Sequence, residues 1–296
     1  EQLERLLADR EAAVRVAACE ALALRVAVVP GATLAPLEAA LRGGRRELVL
    51  PAGEGLARRG RPEAFFALLL VLKAGEPPER ERAALALGQL GDRRALEHLL
   101  PILDAGPDAP QDQALAPVVI ESLGAMVAAL AARADADADE LAALRERIER
   151  TATGGLGPER LRALAGLRRI GDGRSRALLE RVLLDRELGN AERVAAATEL
   201  GALGDAASEA AFAVALAGDN SAVRGAALLA ALAVFASDRT RAYMLALPSP
   251  FADVSGAAAA YLARHGEPAT IVAHLGALAD DIRRGLREGL VRRAAL

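Results

Sequence analysis

One short segment recurs along this chain: two amphipathic stretches separated by a Gly-Asp pair. Its clearest copy occupies residues 79–104. Ala83, Leu87 and Leu90 are spaced at i, i+4 and i+7, which places them on one face of a helix. In the Gly91–Asp92 pair, glycine suits the left-handed residue that ends a helix, and aspartate suits the N-cap of the next one. The segment therefore predicts two antiparallel helices joined by a tight turn.

The recurrence of this segment predicts a stack of similar units. Glu79–Asp92 is matched by Glu159–Asp172 and by Glu192–Asp205, and the later copies follow one another at about 31 to 33 residues. A single helical hairpin cannot bury its own apolar side, so it needs neighbours of the same kind. We therefore expect a helical repeat architecture.

The composition agrees with closely stacked helices. Hydrophobic residues make up 53% of the chain, but aromatic residues only 2%, and tryptophan is absent. Such small side chains suit helices at short distances, and strand-forming residues are scarce. The net charge of −3 provides no overall basic field, which makes nucleic acid an improbable partner. Lys73 is the only lysine among many arginines, a habit typical of GC-rich bacterial genes.

The sequence offers few indications of compartment. Cys19 is the sole cysteine, so no internal disulfide can form. No apolar run approaches the ~18 residues of a membrane span, and no signal peptide is visible. We expect a cytoplasmic location and no transmembrane segment. The chain starts in the middle of a unit at Glu1, so we expect a fragment of a longer chain, with uncapped ends that allow self-association or flanking domains.

Two sequence patterns resemble a known repeat family. In the first, Leu-Gly-Asp or Ile-Gly-Asp ends a helix; in the second, an aspartate precedes a helix that opens with Val-Arg or Glu-Arg. These patterns resemble HEAT repeats of the short bacterial kind, the phycobilisome-lyase HEAT-like repeats. The first pattern occurs at Leu90–Asp92, Ile170–Asp172 and Leu203–Asp205, and the second at Asp9–Arg15, Asp185–Arg193 and Asp219–Arg224.

The resemblance implies an all-α fold, an α/α superhelix (HEAT/ARM-like solenoid) of about eight antiparallel helical hairpins. We expect residues 1–296 to form a single elongated solenoid, with first helices outside and second helices lining a concave face. The glycine-rich stretch Thr151–Gly157 is the place where we expect a hinge.

No constellation for catalysis or metal binding stands out. An acidic stretch and a following glutamate occupy four calcium-loop positions, but Glu140 replaces the glycine that such a loop requires. The spacing of the three histidines fits no zinc signature, and nucleophile motifs are missing. We expect no catalytic residue, no metal and no cofactor. The four carboxylates are Asp135, Asp137, Asp139 and Glu146, and the histidines are His98, His265 and His274.

Arginines cluster at the turns between the predicted helices of a hairpin. Stacked hairpins would align these turns along one ridge, although the ridge would be interrupted at Gly204–Asp205. A solvated edge is the simpler explanation, and an acidic partner or a nucleic acid is the functional one. The clusters comprise Arg58, Arg59 and Arg61; Arg93 and Arg94; and Arg168, Arg169 and Arg174.

The leading hypothesis is a non-enzymatic scaffold or adaptor that binds a protein partner on the concave face. One alternative is a bilin-lyase-like accessory enzyme subunit, which only the name of the resembling family implies. A second alternative is a nucleic-acid-binding module that uses the arginine ridge. The candidate partner-binding residues are Arg93, Arg94, Glu97, His98, Arg168, Arg169, Arg176, Glu180 and Arg181.

Overall fold

The computed structural model of the protein describes residues 1–105, 108–133, 136–274 and 280–294. Within these ranges every regular element is a helix, and there is no strand. The α-helices are α1 (Gln2–Leu6), α2 (Ala12–Val28), α3 (Ala35–Arg42), α4 (Arg46–Ala57), α5 (Phe65–Ala74), α6 (Pro77–Leu90), α7 (Leu96–Leu103), α8 (Pro110–Ala131), α9 (Ala138–Gly154), α10 (Gly157–Ile170), α11 (Gly173–Leu184), α12 (Asn190–Leu203), α13 (Glu209–Leu216), α14 (Ser221–Val234), α15 (Arg239–Ala246), α16 (Ala252–His265), α17 (Pro268–His274) and α18 (Asp280–Ala294). The predicted all-α repeat fold is confirmed.

The chain divides into two compact units, Glu1–Ile170 and Gly171–Leu296. The first contains α1 to α10, and the second α11 to α18. The stretch predicted as a hinge lies inside the first unit. There, α9 continues to Gly154 and α10 begins at Gly157, so the predicted loop is shorter than expected. Bending at this point stays a prediction.

The turn chemistry of the repeated segment is as predicted. Gly91 adopts a left-handed conformation with φ 65° at the end of α6. The Asp92 carboxylate accepts a hydrogen bond from the Arg94 backbone N–H at 3.1 Å, as an N-cap does. The second helix starts with a 3-10 turn that leads into α7. In the second unit, Gly204 and Asp205 repeat the arrangement, with φ 73° at the glycine.

The helices that pack most closely are not the two that the Gly-Asp turn connects, which the sequence predicted as a pair. Each odd-numbered helix packs closely on the even-numbered helix that follows it, from α1 on α2 to α9 on α10, and from α11 on α12 to α15 on α16. The described part of the chain contains eight such pairs, in agreement with the predicted number of about eight. However, the closer contact lies across the connection before the Glu-Arg or Val-Arg pattern, and not across the Gly-Asp turn.

The arginine of that pattern explains the pairing. It lies near the start of an even-numbered helix and donates to a backbone carbonyl at or just beyond the end of the preceding helix. Such carbonyls have no partner within their own helix, so the guanidinium satisfies them and ties the two helices together. These contacts are Arg15 to Asp9 O (2.9 Å), Arg80 to Leu72 O (2.8 Å), Arg160 to Thr153 O (3.1 Å), Arg193 to Leu183 O (3.0 Å) and Arg224 to Gly218 O (2.8 Å).

In the first unit, the even-numbered helices also form one continuous row. Helices α2, α4, α6, α8 and α10 pack on one another in succession, whereas α3, α5, α7 and α9 make no comparably close contacts among themselves. The even-numbered helices, which are the first helices of the predicted hairpins, therefore form the more closely packed row of this unit. Their expected position on the outside of the superhelix stays a prediction.

Small residues make the short distances in this row possible. A Cβ atom on Gly124 of α8 would overlap the carbonyl oxygen of Gly166 in α10, and a Cβ on Gly88 of α6 would overlap the carbonyl of Ser122. The Ser122 hydroxyl donates to Ala84 O at 2.5 Å, which satisfies it between the two helices. Larger side chains at these positions would separate the helices, so the glycines explain why the first helices form the closer row.

In the second unit, α12 packs on α14, and α16 packs on both α14 and α18, while α11, α13 and α15 form a second row. Phe212 of α13 is fully buried in its core. The two tyrosines of the chain, Tyr243 and Tyr261, stack with their ring centroids 4.2 Å apart. The last helix, α18, packs on α16, and its Leu286 is fully buried.

Helix α8 is long and apolar enough to cross a membrane by length and composition alone. However, 72% of its apolar window is buried inside the protein, where α6 and α10 pack against it. The core helix of a repeat array passes the same length and composition test, so this helix is weak evidence for a membrane span.

Cys19 of α2 provides a test of the packing in the first unit. Its side chain has no exposed surface, and burial, with smaller effects of Glu20 and Glu54, raises the pKa of its thiol to about 12. We expect no reaction with an aromatic disulfide reagent at pH 8 in the native chain, and rapid reaction after denaturation, because the thiolate is the reactive form. Rapid reaction of the native thiol would contradict this packing.

The same thiol predicts a pH dependence of stability. The pKa of this thiol is higher in the folded chain than in the unfolded chain. Below the ordinary thiol pKa both forms are protonated, so the thiol does not change the free energy of unfolding with pH there. Above that pH the unfolded chain loses the proton first, and the free energy of unfolding falls as the pH rises toward 12. Cys19→Ser should weaken this fall, as urea titrations between pH 7 and pH 10 would measure.

Candidate functional site

The solvent side of the more closely packed row in the first unit contains an organised set of charged side chains. We call it the first-row face, formed by the exposed and half-exposed side chains of α2, α4, α6, α8 and α10, with Arg58 just after α4. It contains charges of both signs and a few aliphatic side chains, among them Leu24 and Val28, which are 63% and 70% exposed. Two ion-pair clusters fix several of its charged groups.

The first cluster joins three helices through Arg82 of α6. Its guanidinium donates to both carboxylate oxygens of Glu54 in α4, at 2.7 and 2.8 Å, and to Glu20 in α2 at 3.1 Å. This bidentate geometry is the strong form of an arginine–carboxylate pair. The hydrogen bond with Glu54 raises the pKa of Arg82 above its ordinary value, so this guanidinium stays charged at every physiological pH.

The second cluster surrounds Glu121 of α8, which is only 5% exposed. Arg162 of α10 donates to one carboxylate oxygen at 2.7 Å, and Arg169 donates twice to the other, at 2.9 and 2.7 Å. A buried carboxylate is costly unless it is paired and hydrogen-bonded, and here two guanidiniums pair with it. Arg162 also lies 3.9 Å from Glu81 of α6, which links this helix to the cluster.

A recess of about 540 Å³ opens beside Glu121. Three alanines of α8 form part of its lining, and longer polar side chains of the neighbouring helices complete it. The lining residues are Arg58, Gln89, Ala125, Ala128, Ala129, Arg168 and Arg169. The recess thus brings together arginines that lie far apart in the sequence, and no carboxylate is among its lining residues.

The repeated segment is similar to a known family of helical repeats. A family model described as PBS lyase HEAT-like repeat matches residues 79–105, the segment formed by α6, its Gly-Asp turn and α7. The chain is a HEAT-like repeat protein. The match covers the clearest copy of the repeated unit, and the other HEAT-like copies follow from the helix pairs and from the arginine contacts that recur in them.

Two solved structures, among others, are similar to this HEAT-like chain. The complex of CpcE and CpcF of phycocyanin lyase from Nostoc sp. PCC7120 matches with a TM-score of 0.48 and 22% identity, over 82% of this chain and 92% of that one. Human deoxyhypusine hydroxylase in complex with glycerol matches with a TM-score of 0.36 and 22% identity, over 88% and 93%. No curated protein sequence matches the chain.

Two of the predicted partner-binding residues lie in the recess. Arg168 and Arg169 are both at the C-terminal end of α10, and the structure brings them to Arg58, another member of the predicted arginine clusters. Glu121 holds the guanidinium of Arg169 in place through two hydrogen bonds. Partner binding by these residues stays a prediction.

The predicted ridge arginines of the repeated segment are paired with carboxylates of the same chain. Arg93 lies 2.9 Å from Glu140 and 3.3 Å from Asp137. Arg94 lies 2.6 Å from Asp92, with its guanidinium 4.2 Å from the centroid of the Phe65 ring. These contacts satisfy the guanidiniums within the protein, so a partner would have to compete for them.

The other predicted residues lie on odd-numbered helices. Glu97 and His98 of α7 line a separate recess of about 570 Å³. Arg176 of α11 pairs with Glu180 at 3.2 Å and with Asp205 at 3.0 Å. Arg181, on the same helix, is exposed. These residues therefore lie outside the first-row face.

The acidic stretch tested against a calcium loop has a helix-capping role. Asp137 is the N-cap of α9 and accepts hydrogen bonds from the backbone N–H groups of Asp139 and Glu140, at 3.1 and 3.2 Å. In the described ranges, no group of three His, Cys, Asp or Glu side chains is placed to hold a metal ion. Asp135 and the side chain of His274 lie outside those ranges.

The sequence interpretation missed Glu121 and Gln89. A signal for Glu121 was present, because it is the only charged residue between Asp112 and Arg133, in a long apolar helix. A lone charge in such a run requires a partner of opposite sign when the helix is buried. Gln89 gave no comparable signal.

Proposed function

We propose that the chain is a non-enzymatic protein-interaction module whose partner binds on the first-row face. The observation that supports this most is the pair of ion-pair clusters that fix charges of both signs across five neighbouring helices. Charges held in place lose little entropy when a partner binds, and their pattern of signs selects the partner. Exposed Leu24 and Val28 on α2 add apolar area to the same surface.

The alternation of signs favours a protein over a nucleic acid. Glu20, Glu54 and Glu81 are interspersed with the arginines of this face and would repel a continuous phosphate backbone. The net charge of −3 likewise gives no long-range attraction for a polyanion.

Charge reversal at Glu81 tests this proposal. Its side chain is 47% exposed and its ion pair with Arg162 is loose, at 3.9 Å, so Glu81→Arg should leave the fold intact. We expect this change to weaken binding of a partner captured on the wild-type chain about tenfold, equivalent to about 1.4 kcal/mol. Titration of the purified partner against both chains measures it.

The matched control is Glu187→Arg, at an exposed site in the second unit. We expect it to leave the affinity unchanged. Equal affinities of the Glu81→Arg variant and the wild-type chain would contradict binding on the first-row face, provided that the two chains melt at the same temperature.

The second candidate function is an accessory subunit of a bilin lyase. Its support is the name of the repeat model that matches residues 79–105. This function requires that the chain, alone or with a partner subunit, contact a tetrapyrrole. Addition of a bilin should then shift the absorption spectrum of the pigment, and an unchanged spectrum in the presence of the captured partner would contradict this candidate.

A further inference from the structure

We propose that the recess between α4, α6, α8 and α10 binds a carboxylate-rich segment of a protein partner. We call it the arginine recess; its polar lining consists of Arg58, Gln89, Arg168 and Arg169. The inference rests on the proposed function, because it specifies what the partner places on the first-row face.

The shape of the recess follows from its alanine lining. Ala125, Ala128 and Ala129 of α8 are short, so α8 leaves space that the longer side chains of α6 and α10 surround. A volume of about 540 Å³ accommodates a few side chains of a peptide. The donors therefore lie around a space that a ligand can enter.

The electrostatics of the recess favour a negative ligand. Glu121 is the carboxylate nearest to Arg169, and both of its oxygens already accept hydrogen bonds from Arg162 and Arg169. One carboxylate is thus shared by two guanidiniums. Arg58 is exposed and makes no hydrogen bond or ion pair with any side chain in the described part of the chain, and the same holds for the Gln89 amide.

The donors fit a carboxylate in particular. A guanidinium presents parallel N–H groups that match the two oxygens of a carboxylate, and a glutamine amide supplies a further N–H. Arg169 is held in place by its two hydrogen bonds to Glu121, so its ordering cost is already met before a ligand binds. The recess therefore combines the fixed guanidinium of Arg169 with the donors of Arg58 and Gln89.

A protein segment fits the lining of the arginine recess better than a nucleic acid does. No aromatic side chain is among the lining residues, so unpaired bases would find no stacking platform. Glu81 and Glu54 lie on the same face and oppose a longer polyanion. A short acidic segment can occupy the recess without reaching them.

The test measures binding of an acetylated, amidated hexaglutamate peptide to the full chain by fluorescence anisotropy at two salt concentrations. We expect saturable binding that weakens with salt. Arg58→Glu should reduce the affinity about tenfold, because it replaces a donor by a repelling charge, and no side chain in the described part of the chain pairs with Arg58. Arg186→Glu, at an exposed position of the second unit, should change the affinity little.

Three outcomes would overturn the inference: no binding of the peptide at low salt, equal weakening by Arg58→Glu and Arg186→Glu, or equal or tighter binding of a six-nucleotide single strand. The last outcome would assign the recess to nucleic acid.

Failure of the proposed function would give a different pattern of results. Partner binding that depends on Glu81 but not on Arg58 would overturn the arginine recess alone, whereas peptide binding at Arg58 together with partner binding independent of Glu81 would overturn the proposed function alone.

Discussion

Replacement of Gly124 by alanine is expected to destabilise the first unit by about 1–3 kcal/mol, although alanine favours helix by about 1 kcal/mol over glycine. The reason is the contact between α8 and α10. A Cβ at this position would overlap the carbonyl oxygen of Gly166, and the backbone cannot rotate away as a side chain can. The two helices would have to separate, and the apolar contacts on both sides of α8 would weaken.

Urea titration measures this change, with exposure of the Cys19 thiol as a signal specific to the first unit. The control is Gly225→Ala in α14, where a Cβ would meet nothing within 4 Å. There we expect stabilisation by about 0.5–1 kcal/mol, because only the helix propensity changes. If Gly124→Ala stabilised the chain as Gly225→Ala does, the close approach of α8 and α10 would be refuted.

Replacement of Arg224 by methionine is expected to lower the free energy of unfolding by about 3 kcal/mol. Arg224 is 5% exposed, and its guanidinium donates to Gly218 O at 2.8 Å and to both oxygens of Asp253 at 3.1 Å. It also lies 3.9 Å from the centroid of the Phe251 ring. Methionine keeps the apolar stem but leaves the carbonyl and the carboxylate without this donor.

A double-mutant cycle with Asp253→Asn separates these contributions. Arg224 lowers the pKa of Asp253, so their pairing stabilises the fold above the ordinary carboxylate pKa and is lost as the pH falls through the lower, folded value. We expect the two changes to be non-additive at pH 7 and nearly additive below that folded pKa. Arg186→Met, at an exposed site in the same unit, should be neutral. Equal effects of Arg186→Met and Arg224→Met would rule out the helix-tying role of this arginine.

The local elements could be predicted from the sequence because their causes are local. The Gly91 turn and the Asp92 cap both occur as predicted. A left-handed residue or an N-cap depends on a few neighbouring residues, which the sequence displays directly.

The pairing of helices and the identity of the more closely packed row could not be predicted in the same way. A leucine face such as that of α6 serves two neighbours, and periodicity alone does not tell which of them is closer. The deciding features are contacts between distant residues, such as Arg80 with Leu72 O and Gly124 with Gly166. Because of them the candidate site moved from the odd-numbered helices to the first-row face.

Part of the candidate site was nevertheless anticipated. The interpretation of arginine clusters selected Arg168 and Arg169, which the structure places together with Arg58. It overlooked Glu121, since a single carboxylate within an apolar run has no motif, and its meaning depends on arginines of α10 that lie about forty residues later in the chain.

The most direct test of this account compares charge reversal on the two kinds of helix in one binding experiment. Glu81→Arg alters α6 on the first-row face, and Glu97→Arg alters α7 outside it; both residues are exposed. With a purified protein partner, we predict about tenfold weaker binding for Glu81→Arg and an unchanged affinity for Glu97→Arg. The reverse pattern, a loss for Glu97→Arg alone, would contradict binding on the first-row face.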